Sequence, residues 1–97
     1  MNEEFSTTAM NTVTSTKGFT VEVKFAGGVE YRDSNTEAHL DSEWLAKPPG
    51  ILLYRTSPGN RGFDKLQQPH ADIIFDNIVR ALKYLGHRVE IWNRSQT

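Results

Sequence analysis

The chain contains no cysteine, which excludes disulfides, thiolate-ligated zinc and cysteine nucleophiles together. Long apolar runs are also missing, and no stretch approaches the roughly 20 residues that span a bilayer. The opening segment, MNEEFSTTAMNTVTSTKG, carries two glutamates where a signal peptide places lysines, and it has no apolar h-region. These absences predict a soluble, untargeted, cytoplasmic chain with no membrane partner. What is present is 97 residues, 37% hydrophobic and 10% aromatic, enough for one small core and a stability of about 5–10 kcal/mol.

The net charge of −1 hides an uneven distribution. Through Ala46 there are eight acidic and three basic residues, net −5, and from Lys47 onward eight basic and four acidic, net +4. Such polarity can steer a partner or orient self-association.

Residues 1–17 are rich in Ser, Thr and Asn and read as a flexible tail, although Phe5, Met10 and Val13 could dock as an edge segment. Residues 18–97 read as one folded domain. Phe19, Val21, Val23 and Phe25 alternate with Thr20, Glu22 and Lys24, the pattern of a half-buried strand. Val29–Arg32 follows after Ala26-Gly27-Gly28. A three-residue loop would pair Phe25 with Val29 and Val23 with Tyr31, keeping apolar residues on one face. A two-residue loop would slip the register by one and set charges against that face.

Ser34-Asn35-Thr36-Glu37 has capping-box spacing, and Leu40 and Trp44 fall at i, i+4, so a short helix is expected over about 35–46. Pro48-Pro49-Gly50 would end it, with a buried strand over Ile51–Arg55 and a turn-rich loop, TSPGNRG, after that. The long helix is expected over about 69–85. Pro69 suits its first turn, Asp72 and Asp76 its positive end, and Lys83 its negative end. Ile74, Ile78, Leu82 and Leu85 make its apolar stripe, widened by Phe75, Val79 and Ala81, and Gly86 fits a left-handed C′ position. Val89 and Ile91 then share one face of a final strand. The fold class is α+β in the order β-β-α-β-α-β, with an antiparallel or mixed sheet. The Val89–Trp92 strand offers a free edge through which a homodimer could form.

Candidate chemistry is sparse. Glu37, His39, Asp41 and Glu43 combine three carboxylates with an imidazole, a donor set that suits a divalent ion, but a solvated helix face explains them equally and no metal is assigned. His70, Asp72 and Asp76 place a histidine beside carboxylates, as a general base needs, yet no nucleophile accompanies them. Ser57-Pro58-Gly59-Asn60-Arg61-Gly62 resembles a phosphate-cradling loop without Walker spacing or a lysine–serine pair. Asn93-Arg94-Ser95 is an acceptor sequon only in a secreted chain. Neither a catalytic residue nor a cofactor is assigned.

Phe75–Ile91, FDNIVRALKYLGHRVEI, resembles the C-terminal end of XRE-type helix-turn-helix antitoxins and small phage regulators, in which a last helix runs into Leu-Gly and a short strand. The resemblance implies a nucleic-acid-binding regulator. The recognition helix of that family would lie upstream, where this chain has Pro48-Pro49-Gly50 and an alternating hairpin, so no DNA-contacting residue carries over.

The sequence reading is therefore a small non-enzymatic protein that occupies a macromolecular partner, in the manner of phage or mobile-element inhibitors and accessory factors. Arg55, Arg61, Lys65, Arg80, Lys83 and Tyr84 are the expected partner-binding residues. The alternative is nucleic-acid binding by the basic half, including Arg88 and Arg94, with Tyr54, Phe63, Tyr84 and Trp92 available for base stacking.

Overall fold

A computed structural model describes residues 3–93. Arg94 of the basic half and Ser95 of the sequon lie outside them. The elements are β1 (Phe5–Ala9), β2 (Thr12–Ser15), β3 (Thr20–Val23), β4 (Val29–Arg32), β5 (Glu37–Leu40), β6 (Ser42–Ala46), β7 (Pro49–Tyr54), α1 (His70–Tyr84) and β8 (Val89–Trp92). The class is α+β, but seven strands precede the described helix, so the expected alternation of strands and helices does not hold. Strands β1 to β5 form an antiparallel meander, sheet A. Sheet B has the order β6-β7-β8, with an antiparallel β6–β7 pair and a parallel β7–β8 pair joined through α1.

The short helix expected over 35–46 is absent; β5 and β6 occupy its place. The cause lies one residue before the supposed capping box. Asp33 Oδ1 accepts the backbone N–H groups of Asn35 and Thr36, both at 2.8 Å, and Asp33 N–H donates to Thr36 O at 2.9 Å. This local bonding closes a turn that reverses the chain instead of launching a helix. Ala38 and Leu40 then point inward on a strand.

The β3–β4 hairpin keeps the expected face but not the expected register. Val23 pairs with Val29 and Val21 with Tyr31. The loop spans Lys24–Gly28, closed by Lys24 N–H donating to Gly28 O at 3.0 Å, with Gly27 and Gly28 at φ +103° and +99°. The shift is two residues, so the apolar face is preserved. Phe25 is displaced into the turn and is 75% exposed.

Residues 5–15, expected as part of a tail, form the β1–β2 hairpin; the docked alternative is the arrangement found. Val13 is fully buried and Phe5 packs on the core and edge-on to Phe19, with centroids 6.1 Å apart. Met10 stays exposed at the turn.

Helix α1 follows its stripe closely. Ala71, Ile74, Phe75, Ile78, Ala81 and Leu82 are buried, with Val79 and Leu85 partly so. Pro69 sits just outside the first turn as the N-cap residue. The C-terminus is a Schellman motif, with Gly86 (φ +94°) N–H donating to Lys83 O at 2.9 Å and His87 N–H to Leu82 O at 3.1 Å. One core joins the helix to both sheets through Val21, Val29 and Leu40 of sheet A and Ile51 and Leu53 of sheet B. Among the described residues no helix is long and apolar enough to cross a membrane.

Candidate functional surface

Strand register assigns the two faces of sheet B. Ile51 and Leu53 are buried against the core, so Leu52 and Tyr54 point the other way. Pairing places Glu43, Leu52 and Glu90 in one row of that outer face, with Tyr54 and Trp92 in the next. Leu45 lies in the row beside Gly50. The face is thus aromatic and aliphatic at its centre and carries a carboxylate on each flanking strand. Tyr54 and Trp92 stand edge to face, centroids 5.6 Å apart at 81°, and Trp92 is 45% exposed. With Thr56, Ser57 and Pro58 they line an open groove of about 310 Å³. The Tyr54 hydroxyl donates to Glu43 Oε2 at 2.5 Å. That bond, with some desolvation and the negative charges of Glu43 and Asp41, raises the hydroxyl above its ordinary value of 10.0.

The wall of this groove is held by the corner where the chain leaves sheet A for sheet B. Asp41 is that corner. Its N–H donates to Asn60 Oδ1 at 2.7 Å and its carbonyl accepts from Tyr54 N–H at 2.9 Å. Its carboxylate accepts from the Ser57 hydroxyl and lies 3.4 Å from His39 Nε2, while His39 Nδ1 lies 2.5 Å from Glu30 Oε2. Buried Asn60 also donates to Tyr54 O at 3.1 Å. Two glycines make room. A Cβ on Gly59 would lie 2.3 Å from Asp41 Oδ2, and one on Gly28 2.5 Å from His39 Cε1. His39 and Arg61 exchange backbone hydrogen bonds at 2.7 and 2.9 Å, fastening the loop to β5.

This Glu30–His39–Asp41–Ser57 line orders a loop. Ser57 donates to a carboxylate and accepts Gly59 N–H at 3.3 Å, so its hydroxyl is engaged in a turn and bonds no imidazole. Among the described residues no group of three or more His, Asp or Glu side chains is placed to hold a metal ion. Nor are His70, Asp72 and Asp76 assembled as a unit: Asp72 binds Arg55 and Asp76 binds Arg80.

The six residues expected to bind a partner divide into two sorts. Arg55 and Arg80 are engaged in ion pairs within the chain. Arg55 pairs with Asp72 and lies over the Phe75 ring, 4.8 Å from its centroid, and over Phe63. Arg80 pairs with Glu3 and with Asp76, the latter at 2.8 Å in i, i+4 geometry, and covers Phe5. Arg61, Lys65, Lys83 and Tyr84 are exposed. Arg61 is anchored at the β5 edge, whereas Tyr84 packs on Phe5 at 5.4 Å. Neither Leu52 nor Glu43 stood out in the sequence as part of a binding face, and Tyr54 and Trp92 did so only as stacking aromatics. Their common face depends on the parallel β7–β8 register, which no local pattern encodes.

No protein-family model matches this chain, and neither the curated proteins nor the solved structures include a significant match.

Proposed function

We propose that the chain is a non-enzymatic binding protein that acts by occupying a protein partner through the outer face of sheet B. The observation that carries this reading is the Tyr54–Trp92 pair on an open, largely apolar face, beside Leu52 and the Thr56–Pro58 wall. Exposed aromatic and aliphatic clusters of this kind mark contact surfaces, and Trp and Tyr dominate binding energy at interfaces. The Glu43 carboxylate borders the cluster and favours an apolar partner surface with cationic neighbours over a phosphate backbone, while Glu90 is paired with Arg88. Arg55, Arg80 and Arg88 are each bonded to carboxylates, which reduces the free positive charge that nucleic-acid binding would use.

The test compares capture of partners from native host extract by three proteins of equal helicity. Trp92→Ala should lose at least about tenfold of capture, in keeping with the roughly 2 kcal/mol of an interface hot spot. Lys65→Glu with Lys83→Glu should retain it. The reverse pattern would move the contact to the cationic side. Tight binding of duplex or single-stranded DNA at about 50 mM salt, falling steeply as salt rises, would replace the protein partner with nucleic acid.

A further inference from the structure

Four strands lie at sheet edges: β1 and β5 in sheet A, β6 and β8 in sheet B. An open edge invites pairing with another chain, and folded proteins blunt such edges with bulges, charges or covering loops. Three of the four are blunted. Strand β1 carries a register break between Thr7 and Ala9. Strand β5 is bridged by Arg61. Strand β6 is latched by the Lys24–Gly28 loop: Gly28 N–H donates to Ser42 Oγ at 2.8 Å, Trp44 Nε1 donates to Phe25 O at 3.0 Å, and Gly27 sits against the Ser42 carbonyl. Strand β8 has no bulge, proline or covering loop among the described residues, its one charge, Glu90, is paired with Arg88, and its Ile91 is 52% exposed.

The parallel ladder fixes which groups of β8 are free. Arg88 O accepts from Ile51 N–H at 2.8 Å and Trp92 O from Arg55 N–H at 2.9 Å. In a parallel pair alternate residues turn both backbone groups to the partner. Arg88, Glu90 and Trp92 therefore face β7, and the N–H and C=O groups of Val89 and Ile91 point outward.

We infer that β8 pairs antiparallel with β8 of a second copy, with Ile91 on the two-fold axis. Two registers satisfy the outward groups. Centring on Glu90 sets two carboxylates directly opposite each other and pairs only Val89 with Ile91. Centring on Ile91 sets Ile91 against itself, Glu90 against Trp92 of the other copy, and Val89 against Asn93, which adds backbone bonds and removes the like-charge contact. The isologous pairing needs nothing beyond the strand itself. It joins the two copies of sheet B into one six-stranded sheet, with both Tyr54–Trp92 pairs on the same outer face. This dimer does not depend on partner capture, so either can fail without the other.

Sedimentation equilibrium of the full chain should show mass rising with concentration from 11.0 kDa toward twice that value. Ile91→Pro removes an outward N–H that the chain's own ladder does not use, so it should stay folded by circular dichroism and remain monomeric. Should that variant fail to fold, Ile91→Lys keeps the backbone and sets two ammonium groups on the axis, weakening association at least tenfold. The chain lacks cysteine, so Ile91→Cys reports register directly. Antiparallel hydrogen-bonded pairs have Cα atoms about 5.5 Å apart, within the disulfide range of about 4.4–6.8 Å. Oxidation should therefore give a covalent dimer with Ile91→Cys and at least about fivefold less with Glu90→Cys. A native chain that stays monomeric at all concentrations, a folded Ile91→Lys that still dimerises, or preferential Glu90→Cys cross-linking would each overturn the assignment.

Discussion

Sheets A and B share one core but treat their outer faces differently. The outer face of sheet A carries Thr14, Thr20, Glu22, Glu30, Arg32 and Glu37, with Thr14 and Thr20 hydroxyls 3.3 Å apart across strands. This is the polar-out pattern of an antiparallel sheet facing water. The outer face of sheet B instead carries Leu52, Tyr54 and Trp92 between its carboxylates. The edges of sheet A are bulged or bridged; sheet B keeps β8 open. The contrast teaches where the molecule departs from what stability alone asks of it. Sheet A turns polar side chains to solvent, whereas sheet B leaves an aromatic pair partly exposed there.

The largest expected effect tests whether the sheets fold as one unit. Leu40 in sheet A and Leu53 in sheet B are both fully buried in the common core. Leu40→Ala and Leu53→Ala should each cost about 2–5 kcal/mol and lower a single cooperative denaturant transition. Two separated transitions in Leu53→Ala would mean that sheet B melts alone and the comparison concerns two units.

Next comes the corner that ties the sheets together. Gly59→Ala pushes a methyl into the Asp41 carboxylate and should destabilise by about 1–3 kcal/mol as an overpacking change. It should also loosen the Thr56–Pro58 wall, visible as faster amide exchange at Asn60. Unchanged exchange there would detach the Asp41 network from the groove. Gly86→Ala is a smaller perturbation. No atom lies within 4 Å of a Cβ at Gly86, so only its φ of +94° resists, at a cost of about 1 kcal/mol in thermal unfolding. A neutral result would refute the left-handed cap.

The smallest effect is the acid response, which arises from carboxylates flanking the strands of sheet A. Burial pushes Glu3 upward, but bonds from Ser15 and Arg80, with the charges of Arg80 and Lys17, hold it below its ordinary 4.5. Burial likewise opposes the lowering of Asp33, which bonds from Tyr31, Asn35 and Thr36 and the charge of His70 hold below its ordinary 3.8. Both groups have depressed folded pKa values, so each adds stability above the ordinary carboxylate range. That contribution is lost as pH falls through the range toward the folded values, because the unfolded chain takes up protons first. Urea midpoints should therefore fall as pH drops through and below the ordinary carboxylate range. Glu3→Gln should flatten that slope.

Much of the scaffold was legible in the sequence. The alternation of Phe19–Val23, the α1 stripe and Gly86 each follow from local periodicity or a single backbone requirement. The helix expected over 35–46 was misread because Asp33, outside the Ser34–Glu37 window, captures two amides and turns the chain. Phe25 satisfied the alternation but lost to a five-residue glycine loop that kept the face and moved the register. Residues 5–15 looked too polar to order, yet backbone pairing with β3, through Val13 opposite Val21, places them in the sheet. The candidate surface was the least legible part. It depends on β8 lying parallel to β7 across 34 intervening residues, from Arg55 to Arg88. Helical spacing let Arg80 be read as a partner of Asp76, but its pairing with Glu3 and that of Arg55 with Asp72 arise only through tertiary packing.

The contrast between the outer faces is tested most directly by truncating one side chain on each. Trp92→Ala on sheet B and Thr14→Ala on sheet A should both remain folded, with unchanged far-UV circular dichroism. Quantitative mass spectrometry of partners captured from native host extract should then show at least about a tenfold loss for Trp92→Ala and full retention for Thr14→Ala, as expected for an interface hot spot against a solvated scaffold position. Equal capture by both variants, or loss confined to Thr14→Ala, would contradict the assignment of sheet B as the contact surface.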